Sequence, residues 1–359
     1  MRFSRGRALA IAVSAALAAS VAGIHLSDTT AEVAHPSRAL PKSTGSVAPT
    51  PTIGTSGASP AATAKTRAST KAVKRIHKPP ARASRSARRV IAKPSKPSKP
   101  QHPSRGKALL GMSAPLNMWN QRVREVGPGL QARRLFFTSF DASLSKAADA
   151  CNAGMYPVMS FKTGSYSWAQ VAGGSADASL RALASKLAAL PCGVFVAIHH
   201  EPANDGAAAD WAKMQVHALP ILGGPAGGNI KVGVIGNGWW WSVGKKGYSD
   251  AQIAQYITPA VKAVSDVIAS DTYQMTATSE EAAPKIIRMS AWARRVGGVK
   301  ALGIGEFNAA TASGITNAVK ALAADPLYAW GCLWNADLNT VTALSGARLA
   351  AFRAALANW

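Results

Sequence analysis

The chain has 359 residues and a formal net charge of +24, of which +18 lies in residues 1–107. That segment contains Phe3 as its one aromatic residue and has too few large apolar side chains to bury a core. Residues 108–359 contain all ten tryptophans and form one globular domain, which is too long for a small all-helical module or a short binding repeat.

The first 23 residues have the pattern of a secretory signal peptide. Three arginines in residues 1–7 precede an apolar, alanine-rich stretch over 8–23, and small residues stand near its end. This stretch is short for a membrane span, which takes about 20 apolar residues. We therefore expect a secreted or cell-surface protein, with an uncleaved N-terminal anchor as the alternative.

Residues 24–107 are rich in Lys, Arg, Pro, Ser and Ala, and predict a disordered linker. Prolines at every third position in 93–100 favour an extended polyproline II course. The dense positive charge predicts attraction to an anionic cell-wall polymer or a membrane surface, and a solvated spacer is the alternative. Nucleic acid is not an expected partner, because the chain has an export signal and the linker has no aromatic residue to stack on a base.

Eight short apolar runs in residues 108–359 alternate with longer stretches of helical spacing, which is the pattern of repeated strand–helix units. The predicted strands are 109–112, 134–137, 158–161, 194–198, 231–235, 266–269, 301–304 and 328–333. Helices are predicted over 177–190, with Asp177 as N-cap, and over 280–296 and 342–356. The pattern predicts a (β/α)8 TIM barrel, and a doubly wound open sheet is the alternative. We expect the barrel to be a monomer.

Polar and aromatic residues follow each predicted strand, where a barrel of this kind carries its chemistry. In chain order they are Ser113, Asn117, Ser139, Asp141, Lys162, His199, His200, Glu201, Asn237, Trp239, Asp271, Tyr273, Glu306, Asn308, Trp334, Asn335 and Asp337.

Two glutamates stand out among these residues, because Glu201 follows the fourth strand and Glu306 follows the seventh. Side chains three strands apart can face each other across a barrel mouth, and a retaining glycosidase needs two carboxyls roughly 5–5.5 Å apart. One carboxyl must be protonated to assist the leaving oxygen, while the other stays ionised to attack the anomeric carbon.

The segments His200-Glu201-Pro202 and Gly305-Glu306-Phe307 resemble the acid/base and nucleophile motifs of clan A glycoside hydrolases. A histidine before the first glutamate is similar to glycoside hydrolase family 26, whose best-known members are β-mannanases, with some β-glucanases and β-xylanases. The chain departs from that family where Ala203-Asn204-Asp205 replaces its usual glycine, and in the compactness of the barrel. These departures concern the substrate more than the type of reaction.

The resemblance implies roles for individual residues. Glu201 would be the general acid/base and Glu306 the nucleophile. His200 would position a carboxyl or a sugar hydroxyl, Tyr273 would hydrogen-bond the nucleophile, and Trp334 would lie under the sugar.

Other residues have two interpretations each. His199 and His200 could be metal ligands, but the helical His-Glu-x-x-His spacing and a Cys/His cluster are both missing, so we expect no metal and no cofactor. Lys162 could bind a carboxylated sugar or form an interior ion pair.

The aromatic residues after the fifth strand are also ambiguous. Trp239 and Asn237 are predicted to bind substrate, whereas Trp240 or Trp241 is expected in the core. Three cysteines permit at most one disulfide, and the sequence does not choose the pair; we favour Cys151–Cys192.

These observations predict a secreted retaining glycoside hydrolase that cleaves a β-linked polysaccharide such as β-mannan or β-glucan. One alternative is a carbohydrate- or cell-wall-binding barrel without catalytic activity. Another is a surface protein whose function resides in the cationic linker.

Overall fold

A computed structural model describes residues 107–223, 228–337 and 342–359. The predictions for the signal peptide and, apart from Lys107, for the linker concern residues outside these ranges. Among the helices of the described ranges, none combines the length and the apolar character that crossing a bilayer requires.

Eight strands form one closed barrel in which each strand pairs in parallel with the next and β8 pairs with β1. This confirms the (β/α)8 prediction and rejects the open sheet. The strands are β1 (Leu109–Ser113), β2 (Ala132–Phe137), β3 (Tyr156–Phe161), β4 (Val194–Ile198), β5 (Ile230–Asn237), β6 (Val267–Tyr273), β7 (Leu302–Asn308) and β8 (Tyr328–Trp334).

Helices follow the strands and cover the outside of the barrel. They are α1 (Trp119–Val126), α2 (Ser145–Asn152), α3 (Trp168–Ala172), α4 (Asp177–Ala188), α5 (Ala208–Gly223), α6 (Asp250–Tyr256), α7 (Pro259–Val264), α8 (Ala282–Val296), α9 (Ala312–Ala323) and α10 (Gly346–Ala357). Two short 3-10 turns, Gly238–Trp241 and Gly244–Lys246, follow β5.

The prediction that Asp177 caps α4 is wrong. Ala176 occupies the cap position and Asp177 is the first helical residue. Its carboxylate instead accepts a hydrogen bond of 2.6 Å from Nε2 of His217 on α5 and lies 3.1 Å from Arg181. Two other predicted helices begin later than expected, α8 by two residues and α10 by four, because the residues before them are extended.

Alternation along each strand separates two apolar layers. One lies between the strands and the helices, and the other fills the barrel interior, where Phe195 and Trp330 pack with ring centroids 4.4 Å apart. On β2, Ala132 belongs to the interior layer, so Arg134 and Phe136 point inward closer to the carboxyl ends of the strands. The aromatic interior closes the barrel below these residues and leaves the mouth for polar side chains.

The Sγ atoms of Cys151 and Cys192 are bonded, with Cα atoms 5.5 Å apart. Cys151 lies near the end of α2 and Cys192 just before β4, so the disulfide is at the end of the barrel opposite the mouth. Cys332 is a free cysteine buried in the barrel interior.

Candidate active site

A β-bulge turns the carboxyl group of Glu306 into the barrel mouth. Ser270 pairs with Ile304 but Asp271 pairs with Glu306, so Gly305 is an extra residue in β7. Strict alternation would turn Glu306 outward with Ile304, which packs in the outer layer. The bulge turns Glu306 inward, beside Asp271. A Cβ on residue 305 would lie 2.4 Å from Oδ1 of Asp271, which explains the glycine at this position.

Glu306 is buried, and its partners favour its ionised form. The Tyr273 hydroxyl donates a hydrogen bond to Oε2 of Glu306. Burial raises the pKa of the Glu306 carboxyl, whereas the Arg134 charge and the Tyr273 hydrogen bond oppose that rise. Burial and the nearby carboxylates raise the pKa of Tyr273 well above its ordinary value, so its hydroxyl stays protonated and able to donate.

Arg134 and Asp271 lie across the barrel interior from each other, with Nη2 and Oδ2 3.9 Å apart and both side chains fully buried. Neither carboxyl oxygen of Asp271 has a hydrogen-bond partner among the described residues. Burial, and then the charge of Glu306, raises the pKa of Asp271 well above its ordinary value. The raised pKa favours the protonated form of Asp271, while the Arg134 charge also lowers the pKa of Glu306.

Glu201 is the second carboxyl of the candidate pair. Burial, and next the negative charge of Glu306, raises the pKa of Glu201 to about 7. Burial and the Arg134 charge lower the pKa of the adjacent His200 to about 2, so this imidazole is neutral. Near neutral pH the site combines a partly protonated carboxyl, Glu201, with a carboxyl whose partners favour its charge, Glu306.

Side chains from two other elements bind the backbone around Glu201. Trp211 and Gln215 on α5 donate hydrogen bonds to the carbonyl oxygens of His199 and Ile198, at 2.9 and 2.8 Å. The side-chain oxygen of Asn237 accepts a 3.0 Å hydrogen bond from the Ala203 amide. Asn237, which the sequence predicts to bind substrate, here holds the loop that carries Glu201.

Aromatic rings border the carboxyls on one side of the mouth. Phe136 is 38% exposed, and its ring centroid lies 5.3 Å from that of His200. The Phe136 and Trp334 rings pack edge to face, with centroids 6.2 Å apart. The Arg134 guanidinium stacks on the same phenylalanine at 4.2 Å. Trp334 and His200 are thus brought to one place together with Glu201 and Glu306.

The remaining predicted residues lie elsewhere or have structural partners. Lys162 lies 3.6 Å from Asp205 as an ion-pair partner. The Trp239 ring packs edge-on against Tyr248, with centroids 4.7 Å apart. Within the described residues, Trp239 forms no hydrogen bond with Glu201 or Glu306. Trp240 and Trp241 are buried, as expected for core residues.

Three potential metal ligands come together within the described residues. Ligand atoms of His200, Glu201 and Asp271 lie within 4.8 Å of one another. The guanidinium of Arg134 already supplies a positive charge against Asp271, and the pKa values of Asp271 and Glu201 are raised. The arrangement suits carboxyl groups that hold protons better than a set of ionised ligands.

Arg134 and Phe136 are residues of the site that no sequence motif marks. Both stand inside the predicted strand 134–137, two residues apart. The available signal was an arginine at an inward position of an apolar strand, which cannot be buried without a charged partner. The sequence places Asp271 after the sixth strand but predicts no role for it. Only the fold shows that Asp271 faces Arg134 and Glu306.

No family model matches the chain, and no curated protein matches it. Solved structures with a similar fold include a modular endo-β-1,4-mannanase from Cellulomonas fimi, assigned to glycoside hydrolase family 26, at 15% identity and TM-score 0.49, over 69% of this chain and 70% of that one. The family 26 domain of a mannanase/glucanase from Prevotella bryantii is similar at 11% identity and TM-score 0.48, over 68% and 87% of the two chains. Sequence identities of this size indicate a similar fold only.

Proposed function

We propose that this protein is a retaining glycoside hydrolase acting on a β-linked polysaccharide. The observation that carries the proposal is the different environment of two glutamates at one barrel mouth. Glu201 has a pKa of about 7, so about half of the molecules still hold its proton at pH 7. Glu306 is bound by the Tyr273 hydroxyl and faces the Arg134 charge. A double displacement requires this division of roles.

In the first step the Glu306 carboxylate attacks the anomeric carbon, while Glu201 gives its proton to the departing glycosidic oxygen. The products are a covalent glycosyl ester on Glu306 and the released glycan. In the second step Glu201, now ionised, takes a proton from water while the water oxygen attacks the anomeric carbon, and the bond from that carbon to Glu306 breaks to release the carboxylate. Both carboxyls return to their starting states.

The substrate side of the proposal rests on Phe136 and Trp334, whose apolar faces match the C–H faces of a pyranose ring. The proteins with a similar fold include mannanases and β-1,4-galactanases. We therefore propose β-mannans, β-glucans and related glycans as the substrates to test first.

The composition of the N-terminal region supports two further proposals. The signal-like residues 1–23 would direct export, and the basic residues 24–107 would attract the enzyme to an anionic wall polymer or membrane surface. Comparing the binding to cell walls of the chain with and without residues 24–107, at low and high salt, tests the second. Loss of binding on deletion, together with release by salt, is the expected result.

Release of reducing ends from a panel of β-mannans, β-glucans, xylans and bacterial exopolysaccharides tests the activity. The Glu306→Ala variant should lose turnover and remain folded. Glu125→Ala, which changes a glutamate on α1 whose side chain is 27% exposed and pairs with Arg122, is the matched control and should retain activity. NMR of the first-formed anomer tests retention. Unchanged turnover in Glu306→Ala would refute the assignment, and an inverted product would refute the double displacement.

A further inference from the structure

Backbone strain in this protein is concentrated beside Glu201. Within the described ranges, three residues other than glycine have a φ in the left-handed region: His199 at 48°, Glu201 at 54° and Asn204 at 72°. Such conformations cost of order 1–3 kcal/mol each and persist where the surroundings hold them. All three lie in the loop of residues 199–205, so contacts of this loop must hold it in place.

One side-chain contact joins the two ends of the loop. Nε2 of His199 lies 2.8 Å from Oδ2 of Asp205. Burial lowers the pKa of His199, so the imidazole is neutral, and this short contact places its single N–H on Nε2, where it donates to the carboxylate. We call this hydrogen bond the 199–205 clasp.

Neighbouring side chains restrict both partners of the clasp. The Nζ of Lys162, directly after β3, lies 3.6 Å from the same carboxylate oxygen and 3.4 Å from Nε2 of His199. The ring of Trp168 meets the His199 ring edge-on, with centroids 4.8 Å apart and planes at 87°. Contact with Trp168 therefore restricts the orientation of the His199 imidazole. The charge of Lys162 attracts the Asp205 carboxylate and so keeps it close to His199.

The clasp is too exposed to contribute much to the stability of the whole domain. The Asp205 side chain is 44% exposed and the His199 side chain 14% exposed, and pairs with a partner this open to solvent contribute about 0–1 kcal/mol. Its effect is instead local, because it closes the loop that contains Glu201, the candidate acid. A displacement of about 1 Å in a reacting group can cost about 10²-fold in rate.

We propose that His199 and Asp205 are positioning residues, whose hydrogen bond holds the strained loop so that the Glu201 carboxyl points into the mouth. The inference rests on the proposed function. It extends that function to two side chains that form no described hydrogen bond with Glu201 or Glu306 and no described ring contact with Phe136 or Trp334. Asp205 stands in the segment where the chain departs from the family 26 pattern.

Two substitutions at one position separate the hydrogen bond from the charge. In Asp205→Asn the amide oxygen can still accept from Nε2 of His199 while the charge is gone. Asp205→Ala removes both. Asp149→Ala, which breaks an exposed lysine–aspartate pair on α2 with its carboxylate 56% exposed, controls for general surface effects.

The first measurement is kcat/KM of the full chain and its variants on a cleaved polysaccharide and on a 2,4-dinitrophenyl glycoside, which needs no acid assistance. Asp205→Ala and His199→Ala should lose about 10- to 100-fold on the polysaccharide and about tenfold less on the activated substrate. Asp205→Asn and Asp149→Ala should stay close to the parent enzyme. Equal losses on both substrates, or no loss in Asp205→Ala, would overturn the proposal.

The second measurement does not depend on turnover. Carbon-13 NMR of the Glu201 carboxyl should give a pKa near 7 in the parent chain and only a slightly lower pKa in Asp205→Asn, because the Asp205 charge is the smallest of the causes that raise it. In Asp205→Ala the pKa should fall toward the ordinary glutamate range, because the loop relaxes and the carboxyl enters water. The same titration in both Asp205 variants would overturn the clasp. If no glycan is cleaved by the parent chain, the proposed function fails and this titration still decides the positioning role.

Discussion

The hydrogen bond from Tyr273 to Glu306 is the most direct support for Glu306 as the nucleophile, and Tyr273→Phe removes it while keeping the ring. A hydrogen bond to a charged group contributes about 1.5–3 kcal/mol, and its loss leaves a buried carboxylate with fewer donors. At about 1.4 kcal/mol for a factor of ten, kcat/KM should fall about 10- to 150-fold. Because Arg134 still faces Glu306, we expect the lower half of that range.

The pH profile distinguishes a change in ionisation from a loss of stability. The hydrogen bond lowers the pKa of Glu306, so its removal raises that pKa, and a higher pH is then needed to form the nucleophilic carboxylate. The acid limb of the kcat/KM profile should therefore move to higher pH in Tyr273→Phe.

A matched control uses another buried tyrosine. The Tyr328 hydroxyl, at the start of β8, donates a 2.6 Å hydrogen bond to the Ile286 carbonyl oxygen away from the mouth. Tyr328→Phe should cost about 1 kcal/mol of unfolding free energy and leave the acid limb in place. An unmoved acid limb in Tyr273→Phe, or the same shift in both variants, would refute the reasoning.

Two further predictions concern Glu201 and the disulfide. Because Glu201 must hold its proton to act as the acid, kcat/KM should decline as the pH rises above about 7. Glu201→Gln should abolish this basic limb of the pH profile. A basic limb that survives the substitution would belong to another group. The Cys151–Cys192 bond closes a loop with a sequence separation of 41, for which chain entropy gives about 4 kcal/mol. Replacing both cysteines by serine should lower the denaturation midpoint accordingly. It should leave kcat unchanged at 25 °C, because the disulfide lies at the end of the barrel opposite the mouth. A reduced kcat in the folded variant would contradict this expectation.

The sequence alone predicted the barrel because its signals are local. Each apolar run corresponds to one strand, and the distances between runs accommodate the helices that the structure shows. The placement of Glu201 after β4 also follows from one strand read by itself. The error at Asp177 has the opposite origin, because the carboxylate is bound by His217 from another helix and not by its own amide groups.

The environment of the candidate site depended on contacts that no single segment contains. The sequence placed Glu306 near the end of β7, but strict alternation would turn it outward, and the bulge at Gly305 that turns it inward is visible only in the pairing with β6. The charges also depend on the fold, because Arg134 of β2 meets Asp271 of β6 only across a closed barrel. Strand positions follow from the periodicity of the chain, whereas pKa values and side-chain partners follow from burial and from charges distant in sequence, which only the tertiary structure brings together.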